Sequence, residues 1–263
     1  MSKKLTISSI KKSKGQKPLV MITAYDALFA KLLSVSADMI LVGDSLNMSF
    51  AGKSDTISAT LEQMIYHTNA VCSGAPESFI ICDMPFGTYI NKEEALKNSI
   101  AVFQKTQADC VKVEGGEDKA HIVKYLTDNA IAVCGHIGLL PQSVRSEGGY
   151  KVKGKTEEEK ESLIKDAKAI ENAGAFCMVI EGVKAEVAKE VASSVSIPVI
   201  GIGAGKDVDG QVLVFSDMLG LFEEFTPKFV KKYMDGATLV RSALSHYAEE
   251  VVNGDFPKEE HTY

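Results

Sequence analysis

Short apolar runs rich in branched residues recur along this chain, each bounded by Gly, Pro, Asp or Ser. Runs of this kind read as parallel strands buried on both faces. They fall at residues 18–24, 39–44, 79–83, 110–114, 132–136, 176–181, 198–202 and 211–215. Between most of them the apolar positions take helical spacing, which predicts helices over 27–35, 61–71, 92–105, 119–129, 157–173 and 184–194. Asn91 stands as the N-cap of the third helix with Glu94 three residues on, and Thr156 and Glu159 spell a T-x-x-E capping box.

Strands alternating with helices imply a parallel sheet. Eight units within 263 residues favour closure into an α/β fold of the (β/α)8 TIM barrel kind over an open doubly wound sheet. Two places break the regularity. Residues 203–210 are too few for a helix between the last two strands, and residues 219–247 leave room for two or more helices after them. The polar stretch 142–156, with Gly148, Gly149 and Gly154, reads as a mobile loop over the site, and the polar tail 253–263 as a frayed end. No linker marks a second domain. The expectation is one barrel domain over 1–263 with an N-terminal helical segment and C-terminal helices.

Composition alters this picture little. The net charge of −6 lacks the basic surplus of a nucleic-acid binder. No apolar run is long enough to span a membrane, and residues 1–17 lack the apolar core of a secretion signal, so a cytoplasmic enzyme is expected. Cys72, Cys82, Cys110, Cys134 and Cys177 form no C-x-x-C pair and read as buried reduced thiols.

The polar residues inside the apolar runs are more telling. Asp44, Asp83, Lys112 with Glu114, His136 and Glu181 end strands two to six without a gap. Active sites of β/α barrels lie at those ends, so the five strands would bring these groups into one space. Asp44, Asp83 and Glu114 are hard oxygen donors of the type that holds Mg2+. Lys112 and Glu114, two apart on a strand, share a face, where Lys112 either neutralises the acids or meets an anionic substrate. His136 reads as a donor to substrate or as a satisfied structural histidine. Glu181 follows apolar neighbours, and burial there would favour a proton acceptor working near neutrality. The Gly-rich turn 201–205 lacks a Walker pattern and reads as close backbone packing near the ligand.

These residues lie in blocks that resemble the ketopantoate hydroxymethyltransferase family. The blocks are MITAYD (21–26), VGDSL (42–46), DMPFG (83–87), VKVEGG (111–116), GHIGL (135–139), GGYKV (148–152), GIGAG (201–205), DGQVLV (209–214) and PKFVKK (227–232). The resemblance implies a barrel of the phosphoenolpyruvate/pyruvate type. It implies hydroxymethyl transfer from 5,10-methylenetetrahydrofolate to 3-methyl-2-oxobutanoate in pantothenate synthesis, with Mg2+ as the metal. It further implies metal binding by Asp44, Asp83 and Glu114 (the last directly or through water), oxo-acid binding by Asp44, Ser45, Asp83, Lys112 and His136, and Glu181 as the catalytic base. A homo-oligomer, often a decamer, is implied too. Two positions depart from the family pattern, Asn47 in place of Gly and Leu140 in place of Thr. Asn accepts the left-handed conformation better than other side chains, so Asn47 is expected to preserve a turn. A folate-independent C–C lyase or phosphonomutase of the same barrel type, and a non-catalytic 2-oxo-acid binding module, are the competing readings.

Overall fold

The structure is a computed structural model and describes residues 4–263; the first three residues of the expected N-terminal segment lie outside it. Eight strands form a closed, all-parallel barrel in sequence order. They are β1 (Leu19–Thr23), β2 (Met39–Val42), β3 (Phe79–Asp83), β4 (Cys110–Glu114), β5 (Val133–Gly138), β6 (Cys177–Glu181), β7 (Val199–Ile202) and β8 (Gly210–Leu213). Closure is made by β1 on β8, with Met21 opposite Val212. All eight coincide with the expected runs to within a few residues. Six of them, β2 to β7, have interiors buried on both faces and needed near-continuous apolar sequence, whereas Val20 of β1 and Gln211 of β8 are exposed.

The helices, in chain order, are α1 (Ile7–Lys12), α2 (Ala27–Leu33), α3 (Leu46–Ser49), α4 (Leu61–Gly74), α5 (Lys92–Lys105), α6 (Glu117–Asp128), α7 (Val144–Glu147), α8 (Glu157–Asn172), α9 (Ala185–Ser193), α10 (Phe215–Met218) and α11 (Gly236–Asn253). Side chains start most of the long ones. Asn91 accepts from Glu94 N at 2.8 Å and so caps α5 as its sequence indicates. The box expected at α8 is only half formed: Thr156 accepts from Glu159 N, but the Glu159 carboxylate turns to Lys155 N at 2.7 Å. A complete box stands instead at α4, where Thr60 and Gln63 satisfy one another's backbone N–H groups. No helix separates β7 from β8, as the spacing required.

The chain forms two compact units, one ending at Val214 and the other Phe215–Tyr263. In the second, two or more helices were expected over residues 219–247. Instead the chain after α10 runs without regular structure to α11, which continues past Tyr247 to Asn253. Within the barrel unit, alternate residues point inward. Met39 and Leu41, Phe79 and Ile81, Cys177 and Val179, and Ile200 and Ile202 share one core with Cys110 and Cys134. This apolar floor fills the barrel beneath its carboxyl-end mouth. All five thiols are free and buried, and burial pushes Cys82 up to about 12 and also raises Cys110 and Cys177, so these are inert core groups.

Candidate active site

The inward column of each strand changes from apolar to polar at the mouth. On β3 the sequence Phe79, Ile81, Asp83 does this, and on β4 the sequence Cys110, Lys112, Glu114. Strand register then sets the pairs. Asp83 lies opposite Lys112, Glu114 opposite His136, and Gly138 opposite Glu181. Asp44, Asp83, Lys112, Glu114 and His136 are all almost wholly buried.

The contacts run from group to group without interruption. The backbone N–H of Asp44 donates to Asp83 Oδ2 at 3.1 Å, and Lys112 Nζ lies 3.2 Å from Asp83 Oδ1 and 3.1 Å from His136 Nδ1. His136 stands between two acids, its Nδ1 3.4 Å from Glu114 Oε1 and its Nε2 3.3 Å from Glu181 Oε2. Ser45 Oγ is 2.8 Å from the Tyr25 hydroxyl, whose ring is fully buried. The structure therefore brings every site residue named from the sequence to one mouth.

Charge explains the protonation behaviour. Burial pushes Asp44 well above the usual carboxylate range, and the nearby Asp83 and Glu114 add to it. Burial raises Asp83 too, though Lys112 opposes it. Glu114 is also buried, yet the His136 hydrogen bond and charge outweigh this and hold it below its ordinary value. Burial and Lys112 both oppose charge on His136, but its contacts with Glu114 and Glu181 lift it to about 9. Lys112 is buried as well, and Asp83, Glu114 and Asp44 more than compensate, so it stays cationic.

The three acids are not equivalent. Among the described residues no group of three or more His, Cys, Asp and Glu side chains is disposed to hold a metal. Glu114 has both oxygens engaged, one beside His136 and the other accepting from Gln142 N at 3.1 Å. Asp83 Oδ1, by contrast, is buried and accepts no hydrogen bond, meeting Lys112 only as an ion pair. Glu181 also differs from expectation. Its side chain is 20% exposed, so the apolar enclosure inferred from its run is incomplete.

Several neighbours were not legible as site residues. Gln142 was assigned to a mobile loop, but the segment folds into a 3-10 turn over Pro141–Ser143 and then α7, and Gln142 is buried. Arg145 of α7 grips Asp55 through Nε and Nη2 at 3.0 and 2.8 Å, tying this segment to the one after β2. Asn47 does not supply a left-handed turn. It lies within α3, and its Nδ2 donates to Asp55 O and Ser58 Oγ, so an amide does here by hydrogen bonding what was expected of backbone conformation. The Gly-rich turn is close-packed as expected, a Cβ on Gly205 falling 2.5 Å from Ala185 Cβ.

A glycine also sets the spacing of the mouth. Gly138 has φ +96°, and a Cβ there would meet the Glu181 carbonyl oxygen at 2.4 Å and Val183 Cγ2 at 2.8 Å. Gly138→Ala is expected to lower stability by about 1–3 kcal/mol, through left-handed strain and the clash. A urea midpoint that falls at constant slope would show it; an unchanged midpoint would mean that β5 and β6 part freely.

Comparison with known proteins bears on this site. The family model for ketopantoate hydroxymethyltransferase matches residues 4–259. A 3-methyl-2-oxobutanoate hydroxymethyltransferase of Sulfurimonas denitrificans is 76% identical, with all of both chains covered. One of the same name from Aliarcobacter butzleri is 66% identical over 99% of this chain and 97% of its own. Among solved structures, 2,3-dimethylmalate lyase of the PEP mutase/isocitrate lyase superfamily has a TM-score of 0.60 at 16% identity, covering 97% of this chain and 91% of its own. Phosphoenolpyruvate phosphomutase of Streptomyces platensis has a TM-score of 0.63 at 12% identity, covering 98% and 92%. At such identities these two show the shared barrel fold alone.

Proposed function

The chain belongs to the ketopantoate hydroxymethyltransferase family, and from that premise we propose how its barrel mouth carries a hydroxymethyl group to 3-methyl-2-oxobutanoate, with 5,10-methylenetetrahydrofolate as donor. The supporting observation is the unbroken buried run Asp44, Asp83, Lys112, His136, Glu114 with Glu181 at its edge. A C–H beside a ketone is a weak acid. Its removal is helped by groups that favour the charge arriving at the keto oxygen and by a base at the carbon.

The residues present fit a divalent cation. Four carboxylates face two cationic side chains, and one short carboxylate, Asp83, has a buried oxygen without a hydrogen bond. Asp44 and Asp83 would hold Mg2+, as hard oxygen donors do, with Glu114 acting through water. When bound, the ion supplies Lewis-acid polarisation of the keto oxygen.

The protein's own groups do the rest. Lys112, kept cationic by three acids, places positive charge where the substrate oxygen becomes negative. Ser45, steadied by Tyr25, is a hydrogen-bond donor for the substrate carboxylate. Glu181 accepts the C3 proton; its partial exposure leaves room for substrate, and His136 holds the carboxylate from the other side. Glu114 in turn fixes the His136 ring.

The direct test follows the C3–H of 3-methyl-2-oxobutanoate in deuterated water. Enzyme with magnesium but no folate is expected to exchange it, and ketopantoate is expected only once methylenetetrahydrofolate is added. Absence of exchange, or a carbon–carbon product without folate, would sink the reading.

A further inference from the structure

Gln142 lies on the 3-10 turn after β5 and is 6% exposed. Its backbone N–H donates to Glu114 Oε2 at 3.1 Å. Its side-chain Nε2 donates both to Asp44 Oδ2 at 2.8 Å and to the Met84 carbonyl oxygen at 2.9 Å. Its Oε1 accepts from the Tyr89 hydroxyl at 2.5 Å. Tyr89 is itself 7% exposed. One residue thus joins the turn after β2, the segment after β3, and β4 at the level of the acids.

The network permits one orientation of the amide. Turned over, the carbonyl oxygen would face two acceptors, Asp44 Oδ2 and Met84 O. Buried acceptors left facing one another cost free energy. The Tyr89 hydroxyl therefore keys Gln142, and Gln142 keys Asp44. Residue type matters as well as position. A Glu would set another acid among Asp44, Asp83 and Glu114, and an Asn is one carbon shorter, about 1.5 Å. With its backbone pinned to Glu114, an Asn would not reach both Asp44 and Met84.

We propose that Gln142, keyed by Tyr89, is a positioning residue that fixes the Asp44 carboxylate for the cation and for the 2-oxo acid. This rests on Asp44 being a metal-binding residue. Without Gln142, Asp44 Oδ2 loses its side-chain donor and the carboxylate can rotate. A residue of this kind acts on affinity before it acts on chemistry. Partners that orient metal ligands typically contribute about 10–100-fold in metal affinity.

The test compares wild type, Asp44→Ala, Gln142→Ala and Tyr89→Phe. Magnesium binding is measured by calorimetry without substrate, then KM for 3-methyl-2-oxobutanoate and kcat, with the thermal midpoint recorded throughout. Gln142→Ala is expected to weaken magnesium binding about 10–100-fold and to raise KM more than it lowers kcat. Tyr89→Phe is expected to act in the same direction by a few-fold. If Asp44→Ala loses magnesium while Gln142→Ala keeps wild-type affinity and KM, the role of Gln142 is overturned and the metal assignment stands. If Asp44→Ala binds magnesium as wild type does, the metal assignment fails and takes the role of Gln142 with it. Should Gln142→Ala not fold, an unchanged magnesium affinity and KM in Tyr89→Phe overturns the keying.

Discussion

Asp83→Asn is expected to abolish magnesium binding and to lower ketopantoate formation by about 10²–10³-fold or more, the range seen when one preorganised electrostatic group is lost. Three roles meet at this side chain. It is a proposed metal ligand, it pairs with Lys112 at 3.2 Å, and it accepts the backbone N–H of Asp44 at 3.1 Å. The amide keeps the shape and removes the charge, so it separates electrostatics from packing better than alanine does. Lys112 would then keep only Glu114 and Asp44 as charge partners, and its ammonium would no longer be held toward the mouth. Loss of one partner of a buried pair costs about 3–5 kcal/mol in general, so the thermal midpoint should fall as well. Calorimetry with magnesium and initial rates on the folded variant check this. Wild-type magnesium binding in Asp83→Asn would remove the residue from the metal site.

Glu181→Gln is expected to separate binding from chemistry. The glutamine can still meet His136 Nε2, now 3.3 Å from Glu181 Oε2, so the mouth should keep its form. KM for the oxo acid and magnesium affinity should stay near wild type. The C3–H exchange rate should fall by about 10²–10⁴-fold, the usual contribution of a positioned base. Deuterium incorporation followed by NMR measures it without the folate half-reaction. Exchange at the wild-type rate would place the base elsewhere. The two variants thus fail in different ways, Asp83→Asn by losing the cation and Glu181→Gln by losing the proton acceptor.

Much of the architecture could be read before any coordinates. The eight strands followed from apolar runs, because a strand covered on both faces has no solvent side on which to place polar residues. The polar residues that do interrupt those runs are, for the same reason, conspicuous. Asp44, Asp83, Lys112, Glu114, His136 and Glu181 stood out at strand ends, and all six lie at one mouth. The part after β8 was less legible. Residues 219–247 leave room for two or more helices, yet the chain winds irregularly before α11. Composition alone does not say where a helix starts when no side-chain cap marks it, and α11 has none.

The sequence by itself determined the strand count, the alternation and the column of ionisable groups, since these depend on local periodicity and on the cost of burying charge. Periodicity and burial alone did not tell the three acids apart, although the family resemblance already set Glu114 aside. Tertiary structure gives them different surroundings, because register and loop return are set by contacts distant along the chain. Opposite His136, Glu114 is engaged by histidine and Gln142; opposite Lys112, Asp83 keeps an oxygen free of hydrogen bonds. The same distance in sequence hid Gln142 and Tyr89. They lie 98 and 45 residues from Asp44, Gln142 in a stretch that read as a polar loop. Only closure of the barrel brings the Gln142 amide to the Asp44 carboxylate and the Tyr89 hydroxyl to that amide.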